Sequence, residues 1–390
     1  MDFKFSNDEV IFREQVHSFL ERELPRDWDG IDDSGAFEGE GLDLTRRMSK
    51  KLAKQGWLTL AWPKQHGGQE RSVIEQMLFK EATAYHQVPG SDMGVGGVSW
   101  VGPMLMHHGT DEQKHHLRTI ASGEEYWCTL YSEPGSGSDL ASLQTRAEVD
   151  GDDYVLNGSK IWTSGGHIAD WGWLAARTNP SAPKHKGVSM FLLNMRSPGI
   201  SVRPIINMAG AHHFNEVFFD NVQIPKENLV GSLNQGWYIL ATALDLERSG
   251  VHASANGQRV LDKLAVFLKK NDRSAGLSAA SKNRLAEMQI ETSIARSLAY
   301  RVAWLQSQGG QPNQEASLSK LYGSELTQRV ACTAIDVLGL LGQAQPHSKW
   351  GAFAGKIEKN YLSSVSATIA AGTSEVQRNI VATRGLGLPR

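Results

Sequence analysis

Apolar positions recur at near-helical spacing from the start of the chain, at Phe5, Val10, Ile11, Phe12, Val16, Phe19 and Leu20. Ser6 stands three residues before Glu9, the arrangement of a capping box, and Leu24-Pro25 ends that helix. The same period predicts helices over 42–55, closed by Gly56, and over 73–85. Thr110 is placed to cap a helix over 111–121, which Gly123 closes, while the glycine-rich stretch 90–102 reads as a loop or a helix of small residues. From about residue 126 the pattern changes. Short runs of β-formers at 126–131, 145–149, 154–156, 171–177, 188–193 and 217–219 predict an antiparallel β-domain of roughly six to eight strands. Asp150-Gly151 and Asn157-Gly158 read as turns, and five prolines between Pro180 and Pro225 punctuate the region. From about residue 235 the helical period returns. It predicts helices over 237–271, 281–307, 314–341 and 374–384, packed as an antiparallel four-helix bundle. The expected fold is α+β and multidomain: an N-terminal helical domain over 1–125, a middle antiparallel β-domain over 126–234 and a C-terminal four-helix bundle over 235–390.

Composition narrows the function. Lys and Arg total 40 against 42 for Asp and Glu, a net charge of −2. That balance argues against a binder that neutralises nucleic-acid phosphates and against a polybasic membrane-surface protein. Cys128 and Cys332 are the two cysteines, too few for a disulfide framework or a Cys-only metal site, and a reducing compartment follows. The first ten residues carry no apolar signal core, and no apolar run approaches the ~20 residues of a membrane span. The expectation is a cytoplasmic protein.

Four stretches could carry chemistry. In 131–139, Tyr-Ser-Glu-Pro-Gly-Ser-Gly-Ser-Asp, two glycines let backbone N–H groups approach a ligand's oxygens, though a plain surface loop has the same composition. In 157–165, Trp162 and the hydroxyl residues after it could stack on and hydrogen-bond a flat heteroaromatic ring; a core tryptophan is the alternative. Leu240, Leu244, Glu247 and Val251 fall on one stripe of a continuous helix, which would set the Glu247 carboxylate among apolar neighbours; an exposed helix-margin glutamate is the plainer reading. The thirteen histidines show no ligand spacing, so no metal site is expected. Glu358 and Glu375 have no sequence partner that would make a glycosidase pair.

In this order the blocks resemble one family. Residues 132–139 look like the Ser/Thr-Glu-Pro-Gly-x-Gly-Ser-Asp loop of the acyl-CoA dehydrogenases, and 157–164 like their Asn-Gly-x-Lys-x-Trp strand. Residues 214–222 with Pro225 and Gly231 are similar to the end of the family's β-domain, and 371–378 to its C-terminal signature. The resemblance implies FAD as cofactor and an acyl-CoA thioester as substrate. It assigns Leu130, Tyr131, Ser132, Gly137 and Ser138 to flavin contacts. Trp162 would flank the isoalloxazine with Thr163 beside it, Ser164 would approach N5, and Thr373 and Glu375 would also touch FAD. Ser138 and Arg248 match positions on the CoA part of the substrate. Most members place a glutamate where this chain has Ala371, whose backbone N–H remains available to the thioester oxygen. A minority carry the base in a Leu-Asp-Leu-Glu-Arg context, present here at 244–248, which implies Glu247 as catalytic base. Electrons would pass to an electron-transfer flavoprotein.

Two family elements that reach a neighbouring subunit's FAD are altered. Arg-x-x-Phe-Gly corresponds to 268–272, Leu-Lys-Lys-Asn-Asp, and Gln-x-x-Gly-Gly to 336–340, Asp-Val-Leu-Gly-Leu. Lys269, Lys270 or Arg273 would have to substitute, or a second dehydrogenase chain would supply the missing groups. Homotetramer and heterotetramer both stay open, as do an oxidase or flavin monooxygenase of the same fold and a non-catalytic subunit.

Overall fold

The computed structural model describes residues 4–26, 28–30, 35–91, 96–245, 250–345, 348–350 and 355–389. They form two compact units, one of Met1–Gly30, Ser72–Val88 and Arg248–Arg390, the other of Ile31–Arg71 and Pro89–Glu247.

The first unit is helical: α1 Asn7–Glu23 and α3 Val73–Tyr85, then α7 Val251–Lys270, α8 Ala279–Ser307, α9 Asn313–Leu338, α10 Lys356–Ala367 and α11 Ser374–Ile380. Ser6 and Glu9 close the expected capping box, and Phe12, Val16, Phe19 and Leu20 are buried. Ile11, off that stripe, is 51% exposed. Small residues let the helices approach: Ala299 and Ala303 meet Met77, Leu78 and Val251, and Ala295 meets Leu261, Met288 and Val330.

The expected helix over 237–271 is two helices, α6 Gly236–Asp245 and α7. Gly250 precedes α7 with a left-handed backbone, φ 67°, so helical register does not run from Leu240 to Val251. The stripe that placed Glu247 among apolar residues therefore fails, and Glu247 and Arg248 lie outside the described residues. Helix α10 is absent from the sequence reading. Its apolar positions Ile357, Tyr361, Leu362 and Val365 fall at helical spacing, but Tyr361 and Val365 are exposed and only Ile357 and Ser364 are buried.

The second unit holds α2 Gly39–Lys54, α4 Gly102–His108, α5 His115–Ser122 and α6. Its sheet comprises β1 Trp127–Leu130, β2 Arg146–Asp150, β3 Asp153–Lys160, β4 Trp171–Arg177, β5 Val188–Asn194, β6 Ile200–Ile206, β7 His212–Ile224 and β8 Leu229–Val230. The order is β6-β7-β3-β2-β4-β5-β8, with β1 beside β4. Most pairings are antiparallel, as expected, but β1 and β2 both run parallel to β4. Strands β4 and β5 are buried almost throughout because both faces of the sheet are covered. Leu174, Phe191 and Leu193 pack with Tyr154 and Val217 on one face. Trp173, Met190 and Leu192 pack with Met104, Leu117 and Leu240 on the other.

The two turn dipeptides part ways. At 150–153 Asp150 pairs with Asp153, so Gly151 and Asp152 form a two-residue hairpin. Asn157-Gly158 lies inside β3, where the register to β7 shifts. Gly158 has φ 139°, and a Cβ there would lie 2.8 Å from Thr145 Cα. The glycine serves a bulge and close strand packing.

Candidate active site

Strand β1 ends at Leu130, fully buried, and delivers the chain into the loop 131–139. The Glu133 and Ser136 backbones bond each other, N–H to C=O both ways, at 2.9 and 3.0 Å. This tight turn pushes Gly135, Gly137 and Ser138 outward. A Cβ on Gly135 or Gly137 would meet nothing within 4 Å, so packing within the chain does not require either glycine.

The loop is anchored from below by Lys160, whose side chain is fully buried. Its Nζ donates to Glu133 Oε1 and to the Tyr131 carbonyl, each at 2.9 Å. Glu133 also accepts from the Gln144 N–H at 2.6 Å and the Thr145 N–H at 2.8 Å. Burial works against ionising Glu133, but the Lys160 ammonium and the Gln144 and Thr145 donors overcome it, holding the carboxyl below its ordinary value. The far side of the loop is pinned by Arg177, which donates to the carbonyls of Ala141, Leu143 and Lys184. Neither Lys160 nor Glu133 is among the sequence-selected site residues. A lysine ending an otherwise apolar strand face is the signal that points to it.

The second block adjoins the first: the Ile161 N–H donates to the Ser132 carbonyl at 2.9 Å. Trp162 follows with φ 62°, a left-handed conformation uncommon for a side chain of this size. Its indole is 56% exposed and meets the Phe214 ring edge-on, so it is not a core tryptophan. Thr163 is buried, and its Oγ1 has no hydrogen-bond partner among the described residues. The Thr163 N–H donates to the Asn215 carbonyl, and Asn215 Nδ2 donates to the Thr163 carbonyl, both at 3.0 Å. Ser132, Trp162, Thr163 and Ser164 thus form one shelf beside the outward-facing loop. An exposed indole, an orphaned hydroxyl and two open glycines fit a flat, polar-edged cofactor.

The C-terminal signature lies in the helical unit. Ala371 has φ 53° and Gly372 φ 90°, two consecutive left-handed residues. Lys320 Nζ holds the Gly372 carbonyl at 2.7 Å. Thr373 caps α11 by accepting from the Val376 N–H. Glu375 sits exposed in the first turn, its carboxyl held below the ordinary value by its own backbone N–H first and by the Thr373 hydroxyl next. The Ala371 N–H faces no acceptor among the described residues. The sequence-selected residues therefore divide: 130–138 and 162–164 belong to the sheet unit, and Ala371, Thr373 and Glu375 to the helical unit.

The sequence also misses a cluster. Glu38, His167 and His212 place three ligand-type atoms within 4.8 Å of one another. They come from three distant segments, so no spacing motif could announce them.

The chain belongs to the acyl-CoA dehydrogenase family. Profiles described as "Acyl-CoA dehydrogenase, N-terminal domain", "middle domain" and "C-terminal domain" match residues 6–124, 128–222 and 234–386. The "Acyl-CoA dehydrogenase IpdE1" of Mycobacterium tuberculosis is 33% identical over 385 residues, covering 97% of each chain. Among solved structures, "Tcur3481-Tcur3483 steroid ACAD" is 34% identical, with a TM-score of 0.90 over 100% of both chains. The "ChsE4-ChsE5 complex from Mycobacterium tuberculosis" is 31% identical, with a TM-score of 0.89 over 100% of both chains. Family members are FAD-dependent flavoproteins, and this chain is an oxidoreductase of that family. No helix among the described residues is long and apolar enough to cross a membrane.

Proposed function

We propose that the protein removes hydrogen from the α and β carbons of an acyl-CoA thioester, yielding a trans-2-enoyl-CoA, and delivers the electrons to an electron-transfer flavoprotein in the cytoplasm. The observation that carries this reading is Trp162, an exposed indole on left-handed backbone beside the orphaned Thr163 hydroxyl. FAD, held by Leu130, Tyr131, Ser132, Gly137, Ser138, Trp162, Thr163, Ser164, Thr373 and Glu375, supplies the hydride-accepting ring. Glu247 takes the α-proton as general base. Ser138 and Arg248 hold the polar part of CoA. The Ala371 N–H, without an acceptor among the described residues, supports the thioester oxygen as negative charge builds there.

The acyl group in this reading is bulky and ring-bearing, and the assembly a heterotetramer with a second dehydrogenase chain. A steroid ACAD and a two-protein complex among the similar structures support both points. The test is Glu247→Gln, assayed by dye-linked turnover across straight, branched, aromatic and steroidal CoA thioesters, with bound flavin measured in parallel. The substitution keeps the shape and removes the base, so turnover falls by about 10²–10⁴ or more while FAD stays bound. Near-normal turnover with flavin in place sinks the assignment of Glu247.

A further inference from the structure

The side chain of Asn215 is an intersection. It is fully buried, and its Nδ2 donates to the Thr163 carbonyl. A carbonyl oxygen only accepts, so this contact fixes which way the amide points. Asn215 Oδ1 then faces His212 Nε2 at 2.8 Å. An amide oxygen also only accepts, so His212 Nε2 must carry a hydrogen. On the other side of the ring, His212 Nδ1 lies 2.9 Å from Glu38 Oε1. A carboxylate oxygen likewise only accepts, so Nδ1 carries a hydrogen as well. With both bonds made, His212 is an imidazolium.

The remaining contacts agree. The second Asn215 N–H lies 3.1 Å from His167 Nδ1, which must then be that ring's lone-pair nitrogen. Burial first, and the charge of His212 next, push the His167 pKa down, keeping it neutral. The two rings stack at 4.0 Å, 21° from parallel, an arrangement in which in-plane lone pairs do not converge on one ion. Glu38 occupies the N-cap position of α2 yet makes no side-chain cap there; its carboxylate serves His212 instead. Glu38 and His167 are the titratable groups facing His212 from α2 and from the segment after β3, and His213 is its neighbour on β7.

The consequence lies one bond further on. The Thr163 carbonyl belongs to the same peptide unit as the Ser164 N–H, and that N–H faces no acceptor among the described residues. We propose that Glu38, His212 and Asn215 form a charged relay that polarises the Thr163–Ser164 peptide and strengthens the Ser164 N–H as a donor to the reacting edge of the flavin. His212 is the positioning residue of this relay. The inference rests on the placement of Ser164 near flavin N5 given under the proposed function. Charge-assisted hydrogen bonds are roughly twice as strong as neutral ones, so loss of the His212 charge weakens the donor and disfavours the reduced, more electron-rich flavin. When His212 loses its proton, one of its two bonds must break, because both partners only accept.

The experiment has two arms on the flavin-loaded protein. Nitrogen NMR of ring-labelled histidine is expected to show both His212 nitrogens protonated and His167 neutral at pH 7. A redox-dye equilibrium read by flavin absorbance is expected to move the oxidised-to-reduced ratio on the order of tenfold toward oxidised flavin in His212→Gln. Glu38→Gln, at a half-exposed position, shifts the ratio in the same direction and keeps the test standing if His212→Gln does not fold. A neutral His212 at pH 7 overturns the relay. So does an unchanged ratio in both variants while Trp162→Ala alters the flavin spectrum. If Trp162→Ala also leaves the flavin unchanged, the flavin does not sit on this shelf; the placement then fails, and the relay's link to the flavin fails with it. Stoichiometric zinc binding that His212→Gln abolishes makes the cluster a cation site and overturns the relay as well.

Discussion

Lys160 carries a charge into the interior at the point where β3 meets the loop 131–139. Such a charge is tolerated because two acceptors meet it, Glu133 Oε1 and the Tyr131 carbonyl. Removing one partner of a buried pair leaves the other unpaired, which typically costs about 3–5 kcal/mol. Lys160→Met is therefore expected to lower unfolding free energy by about that much and to release FAD by loosening the loop. Adding Glu133→Gln should recover part of the loss, because the two residues share one interaction. A Lys160→Met protein within about 1 kcal/mol of wild type in urea would show that the pair does not anchor the loop. The pH dependence has a defined sign. The folded carboxyl of Glu133 lies below its ordinary value of 4.5. Its contribution is complete above that value and is lost as pH falls below it, through the folded pKa. The Lys160→Met variant should lose that acid-side decline, as read from unfolding midpoints between pH 3 and 6.

Gly250 decides where α7 begins. Its φ of 67° is left-handed, and a Cβ there would stand 2.9 Å from Ser319 Oγ on α9. Gly250→Ala combines backbone strain of about 1–2 kcal/mol with that contact, so a clear drop in thermal midpoint is expected; an unchanged midpoint would mean that helix runs on through this residue. The same glycine shows what the sequence could and could not disclose. A single glycine inside a helical period reads as a tolerated weak spot, so the period over 237–271 looked continuous and set Glu247 on a false stripe. Where one face is apolar and both ends are capped, as in α1 and α3, helix limits were legible. Helix α10 was not assigned, although Ile357, Tyr361 and Val365 recur at helical spacing within its 12 residues. Asn157-Gly158 was misread as a turn because a bulge and a turn both need glycine's backbone freedom. At the site, the contiguous blocks 130–139 and 162–164 were legible because local sequence builds them. The Glu38–His212–Asn215 network was not, because the fold joins positions 174 residues apart.

At the scale of the whole molecule, the two altered cross-subunit elements set the expectation. Lys269 and Lys270 end α7 with exposed side chains, and a lysine is a point charge where the family's arginine is a planar fork. In the second element Leu340 is 85% exposed and follows Gly339, whose φ is 58°. A bulky apolar side chain thus stands on the surface where the family element has its second glycine, and an exposed Asp336 stands at the position of the family's glutamine. Trp350 at 66% exposed and Ile369 at 61% add further apolar surface on the same helical unit, the kind of exposure that marks interaction sites. In the proposed flavin site, Ser132, Trp162 and Ser164 would supply one half from this chain, and the altered elements would weaken the half that a neighbour supplies. A hydrogen bond to a charged group contributes about 1.5–3 kcal/mol, so loss of the arginine contact predicts FAD held about ten- to a hundredfold more weakly by this chain alone. Expressed by itself and dialysed at length, the protein should fall well short of one flavin per subunit. Co-expression with a dehydrogenase chain that retains the arginine and glutamine should restore full occupancy. Full, dialysis-resistant flavin in a homotetramer of this chain would defeat the heteromeric assembly and leave Lys269, Lys270 or Arg273 as a sufficient local replacement.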